Sequence, residues 1–376
     1  FGMRFGHALD AFVFNVHNIS KWSRNIFPNM FDGKSSFLAH PEIKKEESYL
    51  FKLSAFQDKL YESINSGDLG IFPKKRRKEI LKFIKGGLQD ISISRLKEKV
   101  YWGIELPFDK KHTCFVWVDA FWNYISGLKN ENIKFWPVDL QLMAKDILRV
   151  HATIWPAILL ALNMKLPKNI FVHGFFTVNG QKMSKTLGNV VDPLYLSEKY
   201  GVDTLRYYLL KNIPFGEDGD FNEERLKNSL NNELANDLGN LVSRTLTLCE
   251  KFFNGNLAKQ KDDKLIKCLN LKKINKPIDN FEPHLALEEI WKFIRKANKY
   301  VNDKEPWKNE KKRELILYNL LESLRVISIL IHPFIPETAS KINKQLGIKN
   351  GNQEDVNFGI INNYKVKRGE ILFKKI

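Results

Sequence analysis

Residues 171–193, FVHGFFTVNGQKMSKTLGNVVDP, constrain the fold more than any other part of the sequence. An apolar run rich in β-favouring residues leads to Asn179-Gly180, a dipeptide typical of the tight turn of a β-hairpin. A basic loop follows, with the residues Lys182, Met183, Ser184 and Lys185. Two ammonium groups at this spacing can reach one anionic ligand, so the stretch predicts a hairpin and a loop suited to a polyphosphate. A solvated lysine-rich turn is the ordinary alternative in a chain this basic.

The motif KMSKT resembles the KMSKS signature loop of class I aminoacyl-tRNA synthetases, and its flanks are similar to those of methionyl-tRNA synthetases. The resemblance implies an α/β fold: a partial class I Rossmann-like nucleotide-binding domain, followed by an all-α anticodon-binding helical bundle. It implies that Lys182 and Lys185 are catalytic, and that ATP is used with Mg²⁺. The ATP-binding residues that it implies are Lys182, Met183, Ser184, Lys185, His173, Gly174 and Asp146.

The first 45 residues do not follow this resemblance. Arg4-Phe5-Gly6-His7 supplies only the last two positions of the class I HIGH-type motif, and only a short interval separates His7 from Glu46. We therefore expect much of the amino-terminal half of the catalytic domain to be absent, and an upstream start stays open. From Glu46 onward the resemblance is clear, and residues 46–64 predict a helix with apolar positions at Leu53, Phe56, Leu60 and Ile64.

Two segments predict the amino-acid site. Residues 115–118 are continuously apolar, which is typical of a buried parallel strand that would deliver Trp117 and Tyr124 to its carboxyl end. Residues 140–162 predict a strand followed by a helix, with His151 and Trp155 four apart on one face. Polarizable aromatic surface suits an unbranched thioether, although core packing is the competing explanation for each ring.

The resemblance gives these residues roles. The methionyl pattern G-K-D-I-x-x-x-H-x-x-x-W-P recurs in this segment, except that Ala144 replaces its glycine. By this pattern His151 and Trp155 bind methionine and Asp146 contacts the nucleotide. The resemblance of residues 101–128 to a second motif of the family implies that Trp117 and Tyr124 also line the methionine site.

Residues 223–350 predict a helical bundle, because leucines recur at helical spacing from Leu226 to Leu241. The segment NELANDLGNLVSR resembles the anticodon-reading helix of the family and places Asn240 and Arg244 four apart. The segment NDKEPWK brings Pro306 and Trp307 to the matching site. Such side chains can stack on and hydrogen-bond to single-stranded bases, although a buried anchor is the competing explanation for Trp307 alone.

The charge and the cysteine content limit which partners, metals and compartment the sequence predicts. The formal charge of +17 and a pI of about 9.5 predict attraction to polyanions, unless lysine is simply spread over all faces. Cys114, Cys249 and Cys268 are too far apart in sequence to predict a disulfide framework or a zinc knuckle, so no zinc is expected. The sequence has no run of 18 apolar residues and no signal-peptide pattern. We therefore expect a cytoplasmic protein without a membrane partner, and a monomer is favoured.

The predicted organisation is an atypical segment 1–45, a catalytic domain 46–213, a connection 214–222, an anticodon-binding bundle 223–350 and a tail 351–376. The implied function is that of a methionine–tRNA ligase, which makes methionyl-adenylate from methionine and ATP and passes the acyl group to tRNA(Met). One alternative is a non-catalytic tRNA-binding fragment or degenerate paralogue. Another is a class I synthetase for a different apolar amino acid, which the tryptophan-rich motifs and the missing editing insertion disfavour.

Overall fold

The computed structural model describes residues 13–15, 47–128, 130–184, 187–260 and 265–376. The chain divides into two compact units, Phe1–His173 and Gly174–Ile376. The predictions made for His7 and Lys185 lie outside the described residues. Within the described residues, no helix is long and apolar enough to cross a membrane.

The first unit has a mixed α/β architecture. Its strands are β1 (Val13–Asn15), β2 (Tyr49–Phe51), β3 (Gly70–Phe72), β4 (Ile91–Ser92), β5 (Ser94–Leu96), β6 (Glu105–Leu106), β7 (Asp109–Cys114), β8 (Gln141–Ala144) and β9 (Asn169–His173). Its helices are α1 (Gln57–Ser66), α2 (Lys74–Lys85), α3 (Val116–Phe121), α4 (Asn123–Ser126), α5 (Leu148–Ala152) and α6 (Ile154–Ala161), with 3₁₀ turns at Leu53–Phe56 and Asn130–Phe135.

Three small sheets organise this unit. In the parallel sheet, β9 lies between β3 and β8. The antiparallel sheets have the strand orders β1-β2-β4 and β5-β7-β6. Buried apolar side chains of α1, α2, α6 and the parallel strands form one core, which includes Leu60, Ile80, Leu159 and Val172. The parallel strand expected before Lys145 is therefore present as β8.

Two predicted elements of the first unit are wrong in type, and a third is interrupted. The run 115–118 is not a parallel strand, because the strand β7 ends at Cys114, pairs antiparallel with its neighbours, and is followed by the helix α3. The helix expected from residue 46 begins only at Gln57, because Tyr49–Phe51 pairs with two other strands. The helix expected after Asp146 is interrupted at Thr153, between α5 and α6.

The second unit begins with strands and continues as helices. Its strands are β10 (Phe176–Val178), β11 (Gln181–Lys182), β12 (Gly219–Phe221), β13 (Asn256–Ala258) and β14 (Asn363–Lys365). Its α-helices are α7 (Pro193–Tyr200), α8 (Val202–Asn212), α9 (Glu223–Asn228), α10 (Asn240–Phe253), α11 (Leu271–Asp279), α12 (Pro283–Lys304), α13 (Arg313–Ile331) and α14 (Pro336–Leu346). A π-helical stretch, Ser229–Gly239, joins α9 to α10, and short 3₁₀ turns lie at Ile266–Cys268, Glu310–Lys312 and Gln353–Asp355.

The predicted bundle is present as the core of this unit. The leucine stripe from Leu226 to Leu241 is buried, as are Leu287, Ile290, Trp291 and Ile294 of α12. The predicted boundary at 214–222 falls inside the unit, because β12 pairs in parallel with β10 and because α7 and α8 contribute Leu196 and Tyr207 to the same core. The mixed α/β unit followed by a helical one confirms the predicted fold class.

Candidate functional site

Five aromatic side chains meet in the first unit. Trp117 and Phe121 are one turn apart on α3, Tyr124 is on α4, and His151 and Trp155 are on α5 and α6. Phe121 stacks on Trp155 with ring centroids 5.4 Å apart, and it meets His151 edge-on at 5.2 Å. Trp117 lies 5.7 Å from Phe121 and 6.0 Å from His151. The structure therefore brings together the four residues predicted to bind methionine, and together with Phe121 they form the aromatic cluster.

The hydrogen bonds of His151 in this cluster suit a neutral imidazole. Its Nδ1 lies 2.9 Å from the Ile147 carbonyl oxygen, which can only accept, so Nδ1–H is the donor. This tautomer leaves Nε2 to accept from the Tyr124 hydroxyl at 2.9 Å. Burial lowers the pKa of His151, against the opposing effect of the bond to Ile147, and burial raises the pKa of the Tyr124 hydroxyl. The cluster therefore offers an apolar and polarizable wall without a formal charge.

Sequence reasoning missed three rings of this region. Phe121, Trp122 and Trp136 each contact Trp155, at centroid distances of 5.4, 5.7 and 6.0 Å. Phe121 lies four residues after Trp117, which on a helix would have placed both on one face. The strand prediction for residues 115–118 hid this signal. Among the described residues, the buried indole N–H of Trp155 has no acceptor, so it is a donor that a ligand could use.

The carboxyl ends of two parallel strands meet beside each other in the same unit. Ala144 ends β8 and pairs in register with His173, which ends β9. Asp146 follows two residues after Ala144 and is exposed. Ligands of open α/β sheets bind at such strand ends, so the position of Asp146 suits a nucleotide contact.

The second unit begins with the predicted hairpin. Strands β10 and β11 pair antiparallel, with Thr177 opposite Lys182, and the turn residues Asn179 and Gly180 both have positive φ, 51° and 77°. Positive φ at both central residues is the geometry that Asn-Gly favours in a two-residue turn. The hairpin part of the prediction is confirmed.

Acidic and amide side chains that the sequence analysis missed fix this hairpin. Asp220 Oδ1 accepts from the Gly180 backbone N–H at 2.7 Å and from the Thr177 hydroxyl at 2.8 Å. These two hydrogen bonds, the backbone one first, lower the pKa of Asp220. Asn189 bridges the loop, since its Oδ1 accepts from Ser184 N at 2.8 Å and its Nδ2 donates to the Lys182 carbonyl at 3.1 Å.

Lys182 is exposed on this braced hairpin, and Met183 and Ser184 are partly buried. Lys182 therefore offers its charge to solvent from a strand whose position is fixed by its neighbours.

Gly174, at the start of the unit, lies against the backbone of residues 217 and 218, and a Cβ at this position would be 2.3 Å from Glu217 C. Only glycine fits there without a shift of the backbone.

Two of the residues predicted to read bases, Arg244 and Trp307, lie near the end of α12 (Pro283–Lys304). The guanidinium of Arg244 is 5.8 Å from the ring centroid of Trp307, and Arg244 Nη2 donates to Asn302 Oδ1 at 2.9 Å.

Trp307 is 37% exposed, whereas Pro306 is buried. Arg313 Nε donates to the Pro306 carbonyl at 2.7 Å and holds this turn. Asn240 is exposed one helical turn before Arg244. Arg244 and Trp307 thus form a partly exposed pair of planar groups.

Two family models match the chain. The model described as tRNA synthetases class I (M) matches residues 19–246, which is more than half of the chain, and the anticodon-binding domain of tRNA ligase matches residues 270–363. The chain belongs to the class I tRNA synthetases of the methionyl type. The first match begins inside the segment 1–45, where the motifs showed no resemblance. The class I fold and the anticodon-binding region that were expected from the KMSKT motif are confirmed.

Individual relatives agree with this family. The methionine–tRNA ligase of Caldanaerobacter subterraneus subsp. tengcongensis is 47% identical over 92% of this chain, and that of Bacillus subtilis is 38% identical over 94%. The chain spans 57% of the length of each of these curated relatives. A crystal structure of Mycobacterium tuberculosis methionyl-tRNA synthetase bound by methionyl-adenylate matches with a TM-score of 0.82 and 36% identity. That match covers 88% of this chain and 69% of the other.

Proposed function

We propose that this class I synthetase chain acts as a methionine–tRNA ligase. It would join the methionine carboxylate to the α-phosphate of ATP with release of pyrophosphate, and then pass the acyl group to the terminal ribose of tRNA(Met). The family match and the names of the relatives support the reaction class. The aromatic cluster, with its neutral His151, is the single observation that carries the choice of amino acid.

Methionine fits the chemistry of the cluster. Its thioether is polarizable and uncharged, and sulfur interacts favourably with ring edges. Trp117, Tyr124, His151 and Trp155 would enclose the side chain, and Phe121 would hold the rings in place. A charged side chain would be desolvated here without an opposite charge beside it, because His151 and Tyr124 hydrogen-bond to each other. Aliphatic side chains of similar size are excluded less strongly, since shape alone is worth ~1–3 kcal/mol per methylene.

Lys182 and Lys185 are proposed to stabilise the phosphates of ATP while pyrophosphate leaves. Charge stabilisation is the main requirement of this step, and no nucleophilic side chain is needed. The exposed ammonium of Lys182 on the braced hairpin supports its part in this role. His173, Gly174, Met183, Ser184 and Asp146 are the other residues proposed to contact the nucleotide.

Mg²⁺ is proposed to accompany ATP. Mg²⁺ keeps several waters and is commonly held by substrate phosphates with one or two carboxylates. The described residues contain no group of three or more His, Cys, Asp or Glu side chains placed to hold a metal ion. In this proposal the ion would be bound mainly through the ATP phosphates, where it would neutralise part of their charge.

Anticodon recognition is proposed for Asn240, Arg244, Pro306 and Trp307. A base can stack on the exposed part of the Trp307 indole, beside the Arg244 guanidinium, and stacking of this kind is worth ~1–3 kcal/mol per base. Pro306 is buried, so its proposed part is to position Trp307. The monomeric state and the cytoplasmic location stay predictions.

Methionine binding measured by calorimetry on this chain tests the proposal. We expect methionine to bind more tightly than leucine or isoleucine, and Trp117→Ala to weaken its binding at least about tenfold, or ~1.4 kcal/mol. Trp102→Ala is the matched control, because Trp102 is an indole of the same unit with 72% exposure. Equal binding of the three amino acids, or equal effects of the two substitutions, would contradict the amino-acid assignment.

A second candidate is a tRNA-binding chain that does not form the adenylate. Ala144 favours it, because the family pattern has glycine at this strand end and a methyl group there can crowd the nucleotide. Ala144→Gly distinguishes the two candidates. Adenylate formation that is absent in the unaltered chain and appears in this variant, with tRNA binding unchanged, would favour the second.

A further inference from the structure

A cleft in the second unit carries several cationic side chains. It has a volume of about 300 Å³ and lies beside the 3₁₀ turn Ile266–Cys268, the first turn of α11 (Leu271–Asp279) and the middle of α12 (Pro283–Lys304). Its lining includes the basic residues Lys273, Lys292, Arg295 and Lys296, with the carboxylate of Glu289. Four basic side chains and one acidic side chain therefore line this cleft.

Part of this charge is already neutralised. Lys292 pairs with Glu289 at 2.7 Å and with Glu288 at 3.3 Å, and Arg295 pairs with Asp237 at 3.4 Å. Lys273 and Lys296 pair with no carboxylate among the described residues, and Lys296 Nζ makes only a 3.5 Å contact with the Cys268 carbonyl. Two ammonium groups are therefore available to an anion in a concave site.

The cleft and the proposed base-reading pair both involve the helix α12. Lys292, Arg295, Lys299 and Asn302 follow one another at intervals of three, four and three residues, which places them on one face of α12. Asn302 accepts the hydrogen bond from Arg244. Seven residues separate Arg295 from Asn302, a rise of about 10 Å at ~1.5 Å per residue. This length corresponds to about three stacked nucleotides at ~3.4 Å each.

We propose that this cleft binds backbone phosphates of the tRNA whose bases meet Arg244 and Trp307. The inference rests on the proposed tRNA-binding function and names a contact outside the base-reading pair. Phosphate groups are the anions that Lys and Arg side chains bind at nucleic-acid interfaces, where they position the strand without reading its sequence. The cleft would thus fix the register of the RNA, and Arg244 and Trp307 would read it.

The salt dependence of tRNA binding tests the proposal. The full chain is titrated with a tRNA(Met) transcript over a range of salt concentrations, and the slope of log K against log salt is measured. Each lost single-strand phosphate contact lowers the slope by about 0.7. We therefore expect the double variant Lys273→Ala/Lys296→Ala to lose about 1.4 from the slope, with unchanged preference for the methionine anticodon.

Lys341→Ala/Lys344→Ala is the matched control. Both lysines are exposed on α14 (Pro336–Leu346) of the same unit, so the variant removes the same charge away from the cleft. Equal slopes for the two double variants would overturn the proposal, since the effect would then be one of net charge. Failure of the unaltered chain to bind tRNA would overturn the proposed function and this inference together. Normal tRNA binding by the cleft variant, with the slope of the unaltered chain, would overturn the inference alone.

Cys268 gives an independent readout. It lines the cleft and is exposed, whereas Cys249 is buried and Cys114 is partly buried. We expect tRNA to slow alkylation of Cys268 by iodoacetamide several-fold in the unaltered chain but not in the cleft variant. Inorganic phosphate is tested at the same ionic strength. Protection by phosphate without protection by tRNA would identify a small free anion as the occupant and overturn the assignment to RNA.

Discussion

Phe121→Leu tests whether ring contacts hold the aromatic cluster together. Phe121 is 1% exposed and lies between Trp155, His151 and Trp117, with centroid distances of 5.4, 5.2 and 5.7 Å. Leucine keeps most of the apolar volume of phenylalanine and removes the three ring contacts. The substitution therefore separates aromatic geometry from simple burial.

The expected loss of stability follows from these three ring contacts of Phe121. An aromatic pair contributes ~0.5–1.5 kcal/mol beyond its buried area, so three pairs give an upper range of ~1.5–4.5 kcal/mol. A volume-conserving apolar substitution without such contacts usually costs less than ~1.5 kcal/mol. We expect Phe121→Leu to lower the free energy of unfolding of the first unit by about 2–4 kcal/mol. Phe135→Leu is the control, because Phe135 is 59% exposed and should change the stability by no more than ~0.5 kcal/mol.

Hydrogen exchange measured by mass spectrometry is the suitable assay. The chain has two compact units, so a single unfolding transition cannot be assigned to one of them. Exchange of the slowest amides in the peptides of the parallel sheet reports the unfolding of the first unit alone. A loss below about 1.5 kcal/mol would contradict this expectation, because the rings would then act only as apolar volume. Methionine affinity measured on the same variants should fall with Phe121→Leu and stay unchanged with Phe135→Leu.

Three further predictions concern acid stability, backbone packing and RNA recognition. Burial lowers the pKa of both His151 and His284, so the unfolded chain binds more protons below pH ~6.5. The free energy of unfolding of each unit, measured by hydrogen exchange, should therefore fall between pH 6.5 and 5.5 by at most ~1.4 kcal/mol per histidine, and constant values would contradict this. Gly174→Ala should destabilise the second unit by ~1–3 kcal/mol, because its Cβ would meet backbone atoms at 2.3 Å, and an unchanged melting temperature would argue against that contact. Trp307→Ala should weaken cognate tRNA binding by ~1–3 kcal/mol without loss of stability, and an equal loss for a scrambled anticodon would exclude base stacking there.

The parts of the structure that the sequence predicted are those set by local chemistry. The hairpin at Asn179-Gly180 formed as expected, because two adjacent residues that accept positive φ determine a two-residue turn. The leucine stripe of the bundle was also predictable, since helical spacing along one segment decides which side chains are buried.

The parts that were missed depend on contacts distant in sequence. The run 115–118 could be a buried strand or a helix by its apolarity alone, and only the pairing of the preceding strand, Asp109–Cys114, makes it helical. Asp220 fixes a turn that is 40 residues earlier in the chain, so nothing near it in sequence indicates that role. The role of Phe121 in the aromatic cluster is visible only in the folded structure, where α3, α5 and α6 are packed together.

Exchange of labelled pyrophosphate into ATP is the most direct test of the central claim. It is measured on the full chain without tRNA, in the presence of methionine, leucine or isoleucine. We expect exchange that depends on methionine and that falls strongly in Lys182→Ala, while tRNA binding by that variant stays close to that of the unaltered chain. Absence of exchange with methionine, in a sample that still binds tRNA(Met), would contradict the claim that this chain forms the adenylate.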